Sequence, residues 1–120
     1  MEIAIVGLGN LGGALARAFA RVGYRVFAGV RDEKETDRAA LENYHKNISI
    51  HMMEEVGAMA DTIFFCVTPP AITEVCDRVG SLENKLIIDT MNCIHSHPEG
   101  YADTFEALSA IYPQCHVVKA

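Results

Sequence analysis

The turn Gly7-Leu8-Gly9-Asn10-Leu11-Gly12 follows the apolar run Ile3-Ala4-Ile5-Val6 directly and opens a stretch of helical spacing. Glycine-rich turns are common, and a GxGxxG alone says little. Between a strand and a helix, however, each glycine has a physical reason to be there. Gly7 permits the tight turn, Gly9 lets a pyrophosphate approach the backbone, and Gly12 lets the helix pack closely on the strand. The start of a helix carries unpaired N–H groups and partial positive charge, so a phosphate can be held there with few cations. Leu8, Asn10 and Leu11 complete the expected phosphate-binding turn. The unit is the opening of a dinucleotide-binding fold.

Beyond it, short apolar runs alternate with helix-period stretches, the pattern of a parallel sheet covered on both faces. The first run is apolar on both faces, as a central parallel strand requires. Leu11, Leu15, Ala18, Phe19 and Val22 predict one apolar helical stripe, ended by Gly23. A second strand is expected over Tyr24 to Val30, and the charged segment Asp32 to Asn47 reads as a solvated helix plus loop. Ile48-Ser49-Ile50 suits a short third strand, followed by a short helix through Met53 and Val56. Thr62 to Val67 reads as a fourth strand. Pro70 fits the first turn of the next helix, where its missing N–H costs nothing; Ile72, Val75, Cys76 and Val79 give that helix a buried face. Lys85 to Asp89 forms a fifth strand and His116-Val117-Val118 a sixth, with Asp103-x-x-Glu106 as the capping box of a last helix between them, reaching about Ile111. Right-handed crossovers then give an α/β, doubly wound parallel sheet of the Rossmann type, order 3-2-1-4-5-6, in a single domain over residues 1–120. The ligand crevice of such a sheet lies at the C-terminal ends of strands one and four.

Bulk properties narrow the partners. A chain of 120 residues, half of them hydrophobic and 22% charged, can bury one core without disulfides or a structural metal. A net charge of −6 argues against nucleic acid, which requires clustered Lys and Arg to neutralise phosphates. No apolar run is long enough to span a bilayer, and no signal peptide is visible, so the cytoplasm is the expected compartment. Cys66, Cys76, Cys93 and Cys115 are widely spaced and read as reduced core or near-core thiols.

The end of the second strand bears on which dinucleotide is held. Domains of the NAD type place an acid there to bond the ribose 2′-OH. Here the strand ends Phe27-Ala28-Gly29-Val30-Arg31-Asp32. If Val30 is the last strand residue, no acid occupies the ribose position, and Arg31 offers a planar guanidinium to a 2′-phosphate. Lys34 is a second candidate cation. If the strand end lies one residue later, Arg31 is a solvated loop residue and Asp32 is the ribose acid. The first register points to NADP(H), the second to NAD(H).

Two further segments fall at crevice-lining strand ends. Val67-Thr68-Pro69-Pro70 follows strand four, beside the expected ribose and nicotinamide; it is equally well described as a plain strand-to-helix turn. Asp89-Thr90-Met91-Asn92 ends strand five, where Asn92 can hydrogen-bond the nicotinamide side; a buried Asp89 capping a turn is the other reading. Cys93-x-His95-x-His97 lacks the spacing of the common zinc motifs, so no metal is expected. No His/Asp pair frames a serine or cysteine nucleophile, so hydrolase chemistry has no visible basis and no catalytic residue is assigned. His45, His51 and His116 are scattered and receive no role.

The opening Ile3-Ala4-Ile5-Val6-Gly7-Leu8-Gly9-Asn10-Leu11-Gly12-Gly13-Ala14-Leu15-Ala16 resembles the NADPH-dependent oxidoreductases that reduce the deazaflavin coenzyme F420. So do Gly29-x-Arg31, the Ala60-Asp61 leading into strand four, and the closing Val117-Val118-Lys119-Ala120. Related domains occur in the six-transmembrane metalloreductases and, more distantly, in pyrroline-5-carboxylate reductases. The resemblance covers essentially the whole chain, and its motifs are more specific to NADP-type domains than to one substrate. It implies hydride transfer between the nicotinamide and a second ring system stacked against it, chemistry that needs alignment more than an acid or base. On this resemblance Gly7 to Gly12 hold the pyrophosphate, Arg31 the 2′-phosphate, and Val67 to Pro69 with Met91-Asn92 flank the nicotinamide half. A small-molecule hydride acceptor and a homodimer are the implied partners.

Two departures accompany the resemblance. Relatives often carry a small hydroxyl residue before the arginine, where this chain has Val30, which removes one phosphate ligand. They also continue past the sixth strand into a smaller C-terminal domain that helps form the substrate site, whereas this sequence stops at Ala120. The expected function is the cofactor-binding domain of an NADP(H)-dependent oxidoreductase with a deazaflavin or flavin-like acceptor, binding NADP(H) without turnover by itself. The alternative is a non-catalytic module that senses NAD(P)(H) and signals through a partner. A domain of this shape that binds nothing would leave the glycine turn idle.

Overall fold

The strand β1 (Glu2–Val6) is buried from Ile3 to Val6 because elements cover both of its faces. In the computed structural model, which describes residues 1–32 and 38–120 (backbone only at Arg38 and Ala39), it pairs in parallel with two neighbours. These are β2 (Arg25–Val30) on one side and β4 (Thr62–Phe65) on the other. Outside β2 lies β3 (Ile48–Met52); outside β4 lie β5 (Leu86–Asp89) and then β6 (His116–Lys119). The sheet order is β3-β2-β1-β4-β5-β6, every pair parallel, which is the doubly wound Rossmann arrangement predicted from the alternating pattern. Lys34, the second candidate cation, lies outside the described residues.

Among the described residues, five α-helices cover the sheet: α1 (Asn10–Arg21), α2 (Arg38–Tyr44), α3 (Met53–Val56), α4 (Ile72–Val79) and α5 (Thr104–Ile111). They divide the apolar residues into two cores. Ile3, Ile5, Val26 and Ala28 pack with Ala16 and Ala20 of α1 on one face; Ala4, Val6, Ile63 and Phe65 pack with Val56, Val75 and Leu108 on the other. Strand ends shift slightly from expectation. The third strand is longer, since His51 and Met52 continue to pair with Gly29 and Val30, while β4 stops at Phe65 ahead of the turn into Pro69-Pro70.

The buried face of α1 differs from the predicted stripe. Leu15 and Phe19 are half-buried flank residues, while Leu11, Ala18 and Val22 are exposed. Gly12, Gly13, Ala16 and Ala20 face the sheet instead. The helix lies so close that only residues without bulk fit beneath it, and the larger side chains are pushed to the edges. Its end is as predicted. Gly23, at φ +100°, takes the left-handed position; its N–H donates to Ala20 O at 3.1 Å, and Tyr24 N–H to Phe19 O at 3.0 Å. The Phe19 and Tyr24 rings, 5.2 Å apart, add the hydrophobic contact that accompanies such an end.

At α5, Asp103 Oδ1 accepts from Glu106 N at 2.8 Å as expected of a cap. The reciprocal bond is displaced by one residue: Glu106 Oε2 accepts from Ala102 N at 2.6 Å rather than from Asp103. Behind α5, Tyr112 donates its hydroxyl to Gly80 O at 2.9 Å and Cys76 O at 3.3 Å. Burial pushes the Cys76 thiol from 9.0 up to about 11, and burial pushes the Tyr112 phenol up as well.

Two consequences can be measured. An ideal Cβ on Gly12 would lie 2.0 Å from the Gly7 carbonyl oxygen, so Gly12→Ala must move backbone; it should lower stability by about 3 kcal/mol in urea denaturation. The second concerns alkali. Because the folded state holds the Cys76 proton more tightly than the unfolded chain, its contribution is intact below pH 9 and lost between 9.0 and about 11. Cys76→Ala should flatten that decline in a pH series of thermal melts, and the remaining slope should come from Tyr112 and Cys66, whose protons burial also holds more tightly.

Candidate functional site

The sheet order reverses beside β1, and the crevice opens there, at the C-terminal ends of β1, β2 and β4. Gly7, at φ +98°, turns the chain out of β1; a Cβ on it would lie 2.6 Å from the Cys66 carbonyl oxygen. Its N–H continues the ladder to Gly29 O at 3.0 Å, and Cys66 N–H closes the other side on Val6 O at 2.8 Å. The next glycine differs in kind: among the described residues, nothing apart from its chain neighbours lies within 4 Å of a Cβ built on Gly9. Gly9 is the N-cap of α1, with no side-chain cap and no acid in the first turn. The helix therefore offers its first-turn N–H groups to an anion without competition from its own side chains.

These elements enclose a cavity of about 270 Å³ lined by Gly7, Leu8, Gly9, Val30, Arg31, Met53, Cys66, Val67, Thr68 and Ala71. Of the predicted site residues, Gly7, Leu8, Gly9, Arg31, Val67 and Thr68 thus meet in one place. Asn10, Leu11 and Gly12 form the first turn of α1 behind them, with Asn10 and Leu11 exposed. Pro69 is buried and starts the 3₁₀ turn Pro69–Ala71 that leads into α4. Met91 and Asn92 line a second cavity of about 330 Å³, with Thr90, Cys93, Asp103, Lys119 and Ala120. Thr90 joins the walls of the two cavities: its hydroxyl donates to Phe65 O at 2.8 Å and lies 3.2 Å from Cys66 Sγ.

β2 ends at Val30, which is 3% exposed, and Arg31 is the first residue beyond it. Arg31 lines the crevice, and Glu74 Oε1 of α4 lies 3.9 Å from its Nη1. Arg78 of α4 donates from Nη2 to the Arg31 carbonyl at 2.9 Å and from Nε to Glu54 Oε1 of α3 at 3.1 Å. Neither Glu74, Arg78 nor Met53 was signalled as a site residue by the sequence. Arg78 is 47 positions from Arg31, and only the crossover of the sheet brings them together.

Asp89 is fully buried and serves the structure. Its Oδ1 accepts from Met91 N at 2.8 Å, and its Oδ2 accepts from the Thr104 hydroxyl at 2.7 Å and from Lys119 Nζ at 3.3 Å. Lys119 Nζ also donates to the Met91 carbonyl. Asp89 caps the turn that carries Met91 and Asn92, one of the two readings left open by the sequence. Asn92 Oδ1 accepts from Ile94 N at 2.9 Å. Burial pushes the Cys66 thiol up, an effect partly offset by the Thr90 hydroxyl and reinforced by the Asp89 charge. A thiol held neutral in this way is a wall, not a nucleophile. Among the described residues, no three His, Cys, Asp or Glu side chains gather as metal ligands, and no helix is long and apolar enough to cross a membrane.

Comparison with known proteins bears on the crevice. No curated protein is a significant match to the chain. A structure from Arthrobacter sp. FB24, described as an F420-dependent NADP-reductase, is 25% identical with a TM-score of 0.81; the match covers 98% of this chain and 60% of that one. A reductive aminase from Aspergillus terreus, in complex with NADPH and ethyl levulinate, shares the fold at 20% identity and TM-score 0.72, over 98% of this chain and 39% of the other. GDP-mannose dehydrogenase from Pseudomonas aeruginosa shares it at 16% identity and TM-score 0.75, over 99% and 35%. The chain therefore spans well under two thirds of the length of each. The family profile described as "NADP oxidoreductase coenzyme F420-dependent" matches residues 2–93, from β1 through the turn after β5. By that match the chain belongs to the coenzyme F420-dependent NADP oxidoreductase family, a family of NAD(P)-dependent oxidoreductase domains.

Proposed function

We propose that residues 1–120 form the cofactor domain of an NADP(H)-dependent oxidoreductase, and that the crevice between β1 and β4 holds NADP(H). The observation that carries this reading is the end of β2 at Val30. With the strand ending there, no acid falls at the position that would bond a ribose 2′-OH, and Arg31, which lines the crevice, is available to a 2′-phosphate. The open space at Gly9 and the uncapped start of α1 fit a pyrophosphate. Gly7, Leu8, Gly9, Asn10, Leu11 and Gly12 make up that turn, while Val67, Thr68 and Pro69, with Met91 and Asn92 beyond the Thr90–Cys66 contact, border the nicotinamide half. Lys34 is a second cation proposed for the 2′-phosphate.

When bound, the nicotinamide supplies or takes up a hydride. The chain's own residues orient the ring and keep water from one side of it; no proton donor is required of them. The acceptor is a small molecule, with a deazaflavin or flavin-like ring as the best fit to the family. The match covers 60% of the Arthrobacter structure, which is room for an acceptor site that draws on residues beyond the matched part. A homodimer and a cytoplasmic location belong to the same proposal.

Calorimetric titration with NADPH and with NADH tests the assignment. NADPH should bind more tightly, and Arg31→Ala should weaken it by about 1.5–3 kcal/mol, tenfold or more, with little effect on NADH. Equal or tighter NADH binding would overturn the Arg31 role and make Asp32 the ribose ligand. Gly9→Ala supplies the complementary case. It should stay within about 1 kcal/mol of the parent in stability, since none of the described residues beyond its chain neighbours meets the new methyl group, yet lose affinity for both dinucleotides.

A further inference from the structure

Two charged side chains of α4 bracket Arg31. Glu74 and Arg78 are one helical turn apart and so lie on one face of the helix. Glu74 approaches the Arg31 guanidinium at 3.9 Å, and Arg78 holds the Arg31 carbonyl at 2.9 Å. Arg78 is itself braced from the other side by Glu54 of α3, at 3.1 Å. The two contacts act on different parts of Arg31. Fixing the carbonyl fixes the peptide plane just past β2, and with it the direction in which the Arg31 side chain leaves the backbone. The Glu74 carboxylate, by contrast, stands within ion-pair range of the guanidinium that a phosphate would meet, 3.9 Å from Nη1.

We propose that α4 sets the strength of dinucleotide discrimination: Arg78 is a positioning residue that aims Arg31 at the 2′-phosphate, and Glu74 competes with that phosphate for the guanidinium. The proposal rests on the reading that Arg31 takes the 2′-phosphate. A ligand with a 2′-phosphate must displace Glu74 and bring its own negative charge close to a carboxylate. A ligand with a free 2′-OH does neither. Glu74 therefore weakens NADPH binding and leaves NADH binding alone. With the Arg31 and Glu74 side chains 42% and 64% exposed, water screens the pair, so its effect is a few-fold one rather than an all-or-none one.

The test measures dissociation constants for NADPH and NADH, with thermal melts, on the parent protein and on Arg31→Ala, Glu74→Gln, Arg78→Met and Arg78→Lys. Glu74→Gln should tighten NADPH by about threefold, less so at high salt, and leave NADH unchanged. Arg78→Met keeps the aliphatic stem but removes the fork; it should weaken NADPH by about fivefold while NADH changes by less than about twofold. Arg78→Lys, with one charged donor in place of two fixed ones, should fall between parent and Met. The ratio of the two constants does not depend on the folded fraction, so a lowered melting temperature alone would not move it. If Glu74→Gln or Arg78→Met leaves that ratio unchanged while Arg31→Ala abolishes the preference, the role of α4 is overturned and the Arg31 assignment stands. If the parent protein shows no NADPH preference, or Arg31→Ala does not affect it, the cofactor assignment falls and this inference falls with it.

Discussion

The closest constraint in the molecule is between two glycines of one turn. The Gly7 carbonyl oxygen occupies the space where any side chain at position 12 would begin, 2.0 Å from an ideal Cβ. Because α1 starts this near β1, it lies low over the sheet along its length, and Ala16 and Ala20 rather than leucines make the contact. The same approach sets the uncapped start of α1 at the crevice, and among the described residues nothing but its chain neighbours comes within 4 Å of a Cβ built on Gly9. The shape of the crevice thus follows from how little the chain carries at three positions. Its polar character comes from elsewhere, from the residue that follows β2.

That division separates what the fold decides from what it does not. The same strand order underlies a reductive aminase at 20% identity and a GDP-mannose dehydrogenase at 16%, proteins that act on unlike substrates. A shared scaffold of this kind specifies where a ligand sits and leaves the reaction to local side chains. In the present chain the side chains at the crevice are few: Arg31 at its edge, Glu74 and Arg78 of α4 beside it, and Cys66 backed by Thr90.

Much of this was legible in the sequence, for reasons that can be named. Strand order follows from the alternation of short apolar runs with helical periods, and the turn from glycines at a strand–helix junction. Both are local patterns. The buried face of α1 is hidden from periodicity because bulk and contact part company there: Leu11 and Val22 mark the helical repeat, but the contact distance admits only glycine and alanine. The α5 cap was placed correctly at Asp103, while the partner of Glu106 slipped by one residue, since its long side chain can reach either N–H. Arg78 was not legible at all. Its contact with Arg31 joins the end of β2 to the middle of α4 across the switch in sheet order, and no spacing rule encodes a bond of that span.

Asp89 carries a last implication, for the order in which the domain can be completed. Its carboxylate sits on β5, yet its hydrogen-bonding shell is drawn from α5 through Thr104 and from β6 through Lys119, both later in the chain. During synthesis the strands up to β5 leave the ribosome first, with an acidic group facing what will become their interior. Until residue 119 has emerged and β6 has docked, that group lacks its cation, and water must remain where the core will close. The buried carboxylate thus ties β5 to α5 and β6 at once, so its shell is complete only when all three elements have been made.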